Sequence, residues 1–189
     1  MKNKLETATL AGGCFWCTEA IFRRLKGVIS VLPGYAGGNP PAGGKNPSYA
    51  QVCSGSTRHA ESIQIEFDPS LLSFEKILDI FWHTHNPTTL NQQGNDIGTQ
   101  YRSAIFYHNQ KQKEIAEKSK TEFEEEKVYL DPVVTEITPF TNFYIAENYH
   151  KNYFERNKNK SYCNFVINPK IQKLLKNYGN IIKEEYRQF

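Results

Sequence analysis

Two cysteines separated by two aromatic residues, Cys14-Phe15-Trp16-Cys17, are the part of this chain best suited to chemistry. They follow Gly12-Gly13 and open a stretch whose apolar residues have helical spacing. A thiol at a helix N-terminus lies beside unpaired backbone N–H groups and the positive end of the helix dipole. Both favour the thiolate, the nucleophilic form. The two glycines leave the backbone room for a sharp turn and a small molecule room to approach. With Phe15 and Trp16 flanking the sulfur, the assembly suits a small, soft, apolar group that carries a polar oxygen. Three other readings remain open on these residues alone. Cys14 can be a buried small hydrophobe among core aromatics. The C-x-x-C can be half of a zinc site, although neither Cys53 nor Cys163 has a Cys or His at finger spacing. It can also be a dithiol for disulfide exchange.

The elements that must position this group alternate along the chain. Thr7–Ala11 reads as a strand, Cys14–Leu25 as a helix stopped by Gly27, and Val28–Leu32 as a second strand. Residues 33–47, rich in Gly and Pro, read as loop. Glu61–Phe67 alternates as a strand, with Ile63, Ile65 and Phe67 on one side and Gln64 and Glu66 on the other. Ser73 caps a helix that runs to about His83. Asn86–Gln100 is a long polar loop, of a length often tied to function. Ser103–Tyr107 and Val133–Ile137 read as strands, Asn109–Lys127 as a charged helix, and Glu147–Glu155 as a short helix. Lys151–Lys160 carries a basic cluster interleaved with Asn and reads as a solvated loop. From Pro169 the chain reads as helix, with Ile171, Leu174, Leu175 and Ile182 on one face. The expected fold is α+β, a single domain over residues 1–189. Its sheet is mixed or antiparallel and covered by helices, a ferredoxin-like plait core with long loops.

Composition narrows the function class. The 189 residues are 39% hydrophobic and 23% charged, which describes a globular chain rather than a disordered one. A net charge of +3, spread along the sequence, argues against nucleic acid as partner. No apolar run approaches membrane-spanning length, and no secretion signal is visible. Four cysteines in such a chain are not a disulfide framework, and the expected location is cytoplasmic. The five histidines do not form an evident metal set. His83 and His85 fall at a helix end, where they complement the dipole and bond to the loop. His59 and His150 are expected to support the site through hydrogen bonds, and His108 to lie at the surface.

Gly13-Cys14-Phe15-Trp16 resembles the signature of the A-type peptide-methionine (S)-S-oxide reductases. Gly34-Tyr35-Ala36-Gly37-Gly38 is similar to that family's Gly-Tyr-x-Gly-Gly, and His59-Ala60-Glu61 to its His-x-Glu. Asn86-Pro87-Thr88-Thr89 and the run from Gln93 to Ser103 match its long central motif. Glu147-Asn148-Tyr149-His150 resembles its Glu-x-Tyr-His. The resemblance implies reduction of the S epimer of methionine sulfoxide, free or within oxidised proteins. Cys14 would attack the sulfoxide sulfur, which is electrophilic only once its oxygen is protonated or strongly hydrogen-bonded, so a general acid is required. Glu61 is the candidate that the resemblance implies, if it is sheltered near the start of an apolar strand rather than facing solvent like Glu66. Tyr35, expected on the Gly-rich loop, and Tyr101, at the end of the polar loop, hydrogen-bond the oxygen. Phe15 and Trp16 hold the methyl group. Asp96 either fixes its loop or binds substrate through water. No cofactor or metal is implied, and the expected state is a monomer with thioredoxin as reductant.

Two departures bear on regeneration. Position 17 is Cys where many members have Gly, and the family's cysteine-bearing tail is reduced to Cys163 in Ser161-Tyr162-Cys163. Cys163 is expected to resolve the oxidised Cys14. It follows a polar, mobile stretch, and closing a disulfide to Cys17 would displace Trp16. Cys53 is expected to be a partly buried structural thiol. Two rivals stand beside the reductase: a module that binds oxidised methionine without turnover, and a general dithiol oxidoreductase. Disulfide exchange needs no dedicated acid for a sulfoxide oxygen, which sets Glu61, Tyr35 and Tyr101 against the second, and a binder has no use for a resolving thiol.

Overall fold

The structure is a computed structural model that describes residues 4–39 and 46–187. Its strands are β1 (Glu6–Gly12), β2 (Val28–Ala36), β3 (Ala60–Phe67), β4 (Gln92–Gln93), β5 (Asp96–Ile97), β6 (Ser103–Tyr107), β7 (Glu136–Pro139) and β8 (Phe143–Ile145). Its helices are α1 (Phe15–Phe22), α2 (Tyr49–Cys53), α3 (Phe74–Thr84), α4 (Gln110–Glu125), α5 (Tyr153–Arg156) and α6 (Asn168–Tyr178). Six strands form one sheet in the order β7-β6-β1-β3-β2-β8. Neighbours are antiparallel except β6 and β7, so the sheet is mixed, within an α+β fold as expected.

The two faces of the sheet follow from the alternation of its strands. Leu10, Tyr35, Ile63, Ile65, Phe67 and Ile105 share the main core with Ile21 and Phe22 of α1 and Ile77, Leu78 and Phe81 of α3. Each such side chain, fully buried, contributes about 1.5–3 kcal/mol. The opposite face carries a row of four alanines, Ala104, Ala11, Ala60 and Ala36, one on each of β6, β1, β3 and β2. Phe106, Phe140 and Phe143 cover them. Local signals hold for several elements. Ser73 caps α3 by accepting from the Lys76 N–H, and Asn109 caps α4 by accepting from Gln112.

Several expectations are corrected. Residues 33–36 are not loop but the end of β2, registered against both β3 and β8. Pro33 lacks an N–H to give the sheet, but its carbonyl accepts from the Ala146 N–H, and Gly34 fits because the Phe143 ring and Tyr144 carbonyl leave no room for a Cβ. The rest of that glycine-rich stretch, residues 40–45, lies outside the described residues. The long polar loop contains the β4–β5 hairpin and a 3₁₀ turn over Thr99–Tyr101. β7 begins at Glu136 instead of Val133, and β8 had no counterpart in the reading. The helix expected over 147–155 is broken at Asn152, which takes a left-handed conformation and donates its N–H to Glu19. That break separates a 3₁₀ turn, Asn148–His150, from α5, and α5 occupies part of the expected solvated loop. Ahead of α6, the segment Cys163–Ile167 forms a π-helical turn. Ile182 lies beyond α6, in a bridge to Leu25.

Candidate active site

Cys14 stands at the junction of β1 and α1, as the residue preceding the first helical turn. Gly13 adopts a positive φ of 85°, and a Cβ there would run into the side chain of Gln93. Gln93 is held in turn by the backbone of Asn86, with its carbonyl oxygen accepting from the N–H and its amide donating to the C=O. The polar loop thus packs against the glycine that precedes the thiol, and Cys14 is 7% exposed. Cys17, one turn on, is also buried. All four cysteines are free thiols.

The thiols do not behave as the helix position alone implies. Burial is the largest influence on Cys14 and holds its pKa well above the ordinary thiol value. A hydrogen bond with Cys17, and the charges of Cys17 and Glu61, add to it. Cys17 moves the other way, to about 7, chiefly through the hydrogen bond from Cys14. Burial thus opposes the effect of the helix N-terminus at Cys14, and the hydrogen bond between the two sulfurs favours the thiolate of Cys17.

Glu61 enters from β3, paired in register with Tyr35 of β2. It is 1% exposed, and its Oε2 accepts from the Phe15 N–H at 3.0 Å, so the acid abuts the first turn of α1. Burial raises its pKa to about 8. The Phe15 N–H opposes this, and the charges of Asp96 and Cys17 reinforce it. A carboxylic acid that keeps its proton at neutral pH beside a thiol pair can protonate an oxygen bound to an electrophilic atom as a thiol attacks that atom.

The remaining expected residues converge here, with differences. Asp96 of β5 accepts from the Tyr162 hydroxyl at 2.9 Å, and that hydroxyl lies 3.8 Å from the Cys17 sulfur. Tyr101 ends the 3₁₀ turn and packs against the cluster of Cys14, Cys17 and Cys163. Arg102 pins that turn by donating to the carbonyls of Thr99, Arg58 and Gly37. Tyr35 is fully buried in a strand, not displayed on a loop, and its hydroxyl donates to Glu147 Oε2 at 2.7 Å. Phe15 is buried between Tyr35 and His150. Trp16 stacks on Tyr153 of α5 at 3.6 Å and donates its indole N–H to His150 Nδ1 at 3.0 Å. Cys163 is fully buried in the π-helical turn and feels the charge of Cys17, so it does not stand on a mobile loop. Cys53 is half-buried and hydrogen-bonds the Tyr49 hydroxyl.

The histidines divide. His150 accepts a hydrogen bond from Trp16, but among the described residues His59 has no hydrogen-bond partner for either ring nitrogen. His85 binds the Phe81 carbonyl and Ser103, and burial lowers it to about 4, so it is neutral and does not complement a dipole. His108 is half-buried on Phe140 and bonds Thr9. Tyr162, Tyr153, Tyr49 and Glu147 had not been singled out. Tyr162 was adjacent to a cysteine that had been, and Glu147 lay inside a quoted motif.

A buried thiol pair, a protonated carboxyl and several phenols under an aromatic wall define the class of a thiol-dependent reductase that removes oxygen from a small group. The family model described as peptide methionine sulfoxide reductase matches residues 6–181. The MsrA of Saccharolobus solfataricus is 52% identical over 179 residues, covering 95% of this chain and 98% of that one. MsrA 1 of Rhodopirellula baltica is 54% identical over 178 residues, covering 94% and 90%. Among solved structures, reduced Mxr1 from Saccharomyces cerevisiae superposes with a TM-score of 0.79 at 36% identity, covering 85% of this chain and 90% of that one. Mxr1 in complex with Trx2 gives 0.56 at 26%, covering 79% and 85%. The chain belongs to the peptide methionine sulfoxide reductase family, which bears out the resemblance carried by its motifs.

Proposed function

We propose that this chain reduces the S epimer of methionine sulfoxide, free or in oxidised proteins, and so repairs oxidative damage. The observation that carries this is Glu61, a buried acid protonated up to about pH 8 and hydrogen-bonded to the residue after Cys14. A binder needs no such acid, and disulfide exchange gives it no oxygen to protonate. In the reaction Cys14 attacks the sulfoxide sulfur as Glu61 delivers its proton to the oxygen. The oxygen passes to Cys14 as a sulfenic acid, and methionine leaves. Tyr101 and Tyr35 hydrogen-bond the oxygen as charge develops, Phe15 and Trp16 hold the methyl group, and Asp96 fixes the lid through Tyr162. A chiral pocket with oxygen and methyl so separated accepts one epimer, in keeping with one reductase type per sulfoxide epimer.

Regeneration is by an intramolecular disulfide, formed with loss of water from the sulfenic acid and a thiol. Cys163 is the resolving thiol in this reading, in one buried cluster with Cys14 and Cys17. The specific observation favouring Cys17 is its hydrogen bond to Cys14. Thioredoxin then reduces the disulfide, a role supported by the Mxr1–Trx2 complex. The whole chain acts as one reductase domain, monomeric and cytoplasmic, on a ferredoxin-like plait. The plait is supported by the succession β1-α1-β2-β3-α3-β6 with strand order β6-β1-β3-β2. The test is Cys14→Ser assayed with separated epimers and dithiothreitol. The variant is expected to be folded and inactive, and the parent active on the S epimer alone. Equal rates on both epimers, or activity surviving in Cys14→Ser, would overturn the reading.

A further inference from the structure

A phenol has one O–H, and that of Tyr35 is committed to Glu147. Glu147 is engaged at both oxygens, because Oε1 accepts from the Tyr49 N–H at 2.9 Å. Three residues on, at the other end of the 3₁₀ turn, the fully buried His150 accepts the Trp16 indole N–H at Nδ1. An indole nitrogen only donates, so neutral His150 carries its proton on Nε2. That nitrogen faces Glu147 Oε2 at 3.9 Å and has no hydrogen-bond partner among the described residues. The imidazole is caged by Phe15, Tyr49, Tyr149 and Trp16, with ring centroids 4.8, 4.6, 4.1 and 5.7 Å away. Burial keeps it neutral, and Glu147 stays ionised because the N–H of Tyr49 and the hydroxyl of Tyr35 outweigh its desolvation.

We propose that Glu147 and His150 are positioning residues forming one clasp. The carboxylate sets the Tyr35 hydroxyl and the imidazole sets the Trp16 indole, so that the polar and apolar walls of the site are aligned from a single turn. The inference rests on the roles given above to Tyr35 and Trp16 and extends them to two residues that touch neither thiol. It also assigns Tyr35 a resting state in which its proton belongs to Glu147, so the sulfoxide oxygen receives it only by displacing that bond.

Two double-mutant cycles test the clasp, because residues acting through a shared partner are not additive. Glu147→Ala is expected to slow single-turnover sulfoxide reduction about tenfold, the order of one charge-assisted hydrogen bond, with little change in KM. In the Tyr35→Phe background the same change is expected to cost less than about twofold. His150→Phe keeps the ring in its cage and removes the acceptor. It is expected to raise KM about fivefold with kcat nearly unchanged, and to raise it no further in a Trp16→Phe background. If Glu147→Ala does not fold, Glu147→Gln, whose amide oxygen retains the Tyr49 bond, is run through the same cycle. Equal losses in both backgrounds would make Glu147 a structural support and overturn the clasp while leaving the role of Tyr35 intact. A Tyr35→Phe variant with parental rate would instead overturn that role, and with it the purpose of the carboxylate arm.

Discussion

Glu61 and the thiol pair set opposing demands on pH. Cys17, hydrogen-bonded to the nucleophile Cys14, ionises near 7, and the acid remains protonated below about 8. The rate of sulfoxide reduction is therefore expected to be bell-shaped, with limbs near these values that belong to the coupled site as a whole. Glu61→Gln keeps an acceptor for the Phe15 N–H but has no proton to give. It should lose about 10²–10⁴-fold in single-turnover rate and lose the alkaline limb. An alkaline limb that persisted in Glu61→Gln would assign the proton to another group. At this scale the motifs made Cys14, Glu61, Tyr101 and Asp96 legible, because each is a type whose chemistry is distinctive. The distribution of the thiol proton was not legible. It depends on burial and on a sulfur–sulfur hydrogen bond, and a helix-dipole argument for one residue contains neither. Tyr162 was hidden for a similar reason, since its partner Asp96 lies 66 residues away.

At the scale of elements, β2 holds Tyr35 opposite Glu61 only if Gly34 lets β8 come close. In Gly34→Ala the new methyl would press on the Phe143 ring and the Tyr144 carbonyl. Overpacking of this kind costs about 1–3 kcal/mol, measurable as a lower denaturant midpoint with an unchanged slope. Gly179→Ala meets open space and is expected to stay within about 0.5 kcal/mol of the parent. A Gly34→Ala variant as stable as the parent would mean that β8 yields freely. Elements with local signatures were readable: β1 and β6 by alternation, α3 and α4 by their caps. The end of β2 was not, because Pro33-Gly34 punctuates like a turn while strands on both sides override it. The break at Asn152 was equally invisible, as it is paid for by Glu19, more than a hundred residues away.

Across the whole molecule, the helices are tied to one another by charge. His83 of α3 lies between Asp79 on its own helix and Glu126 at the end of α4, with the Phe123 ring edge-on and Lys76 and Tyr178 also bonded to Asp79. The Asp79 hydrogen bond is the largest cause of its pKa of about 9, and Asp79 is correspondingly lowered to about 2. A histidine raised in the folded state contributes stability in full below its ordinary value of 6.5 and loses it as pH rises through about 9. The difference in Tm between the parent and His83→Gln is thus expected at pH 6 and to vanish by pH 10. A difference that stayed constant over that range would mean His83 acts by packing alone. The C-terminal segment is bound to the turn after α1, where Arg24 pairs with Glu155 and lies over the rings of Phe154 and Tyr186. Apart from the pairs within α3, these contacts were not readable in the sequence, because they join segments brought together only by the completed fold.

The four alanines on the back of the sheet have a consequence for how variants of this protein would be interpreted. Ala36 and Ala60 follow or precede Tyr35 and Glu61 by one residue and point away from them. A bulkier side chain at either position has to displace an aromatic lid or bow the two strands, and bowing moves the phenol and the acid on the other side. A mutational screen would score these positions as essential to turnover although none of them can meet a substrate. Drift at the back of the sheet is, in effect, a way of retuning the reaction without altering a single reacting group.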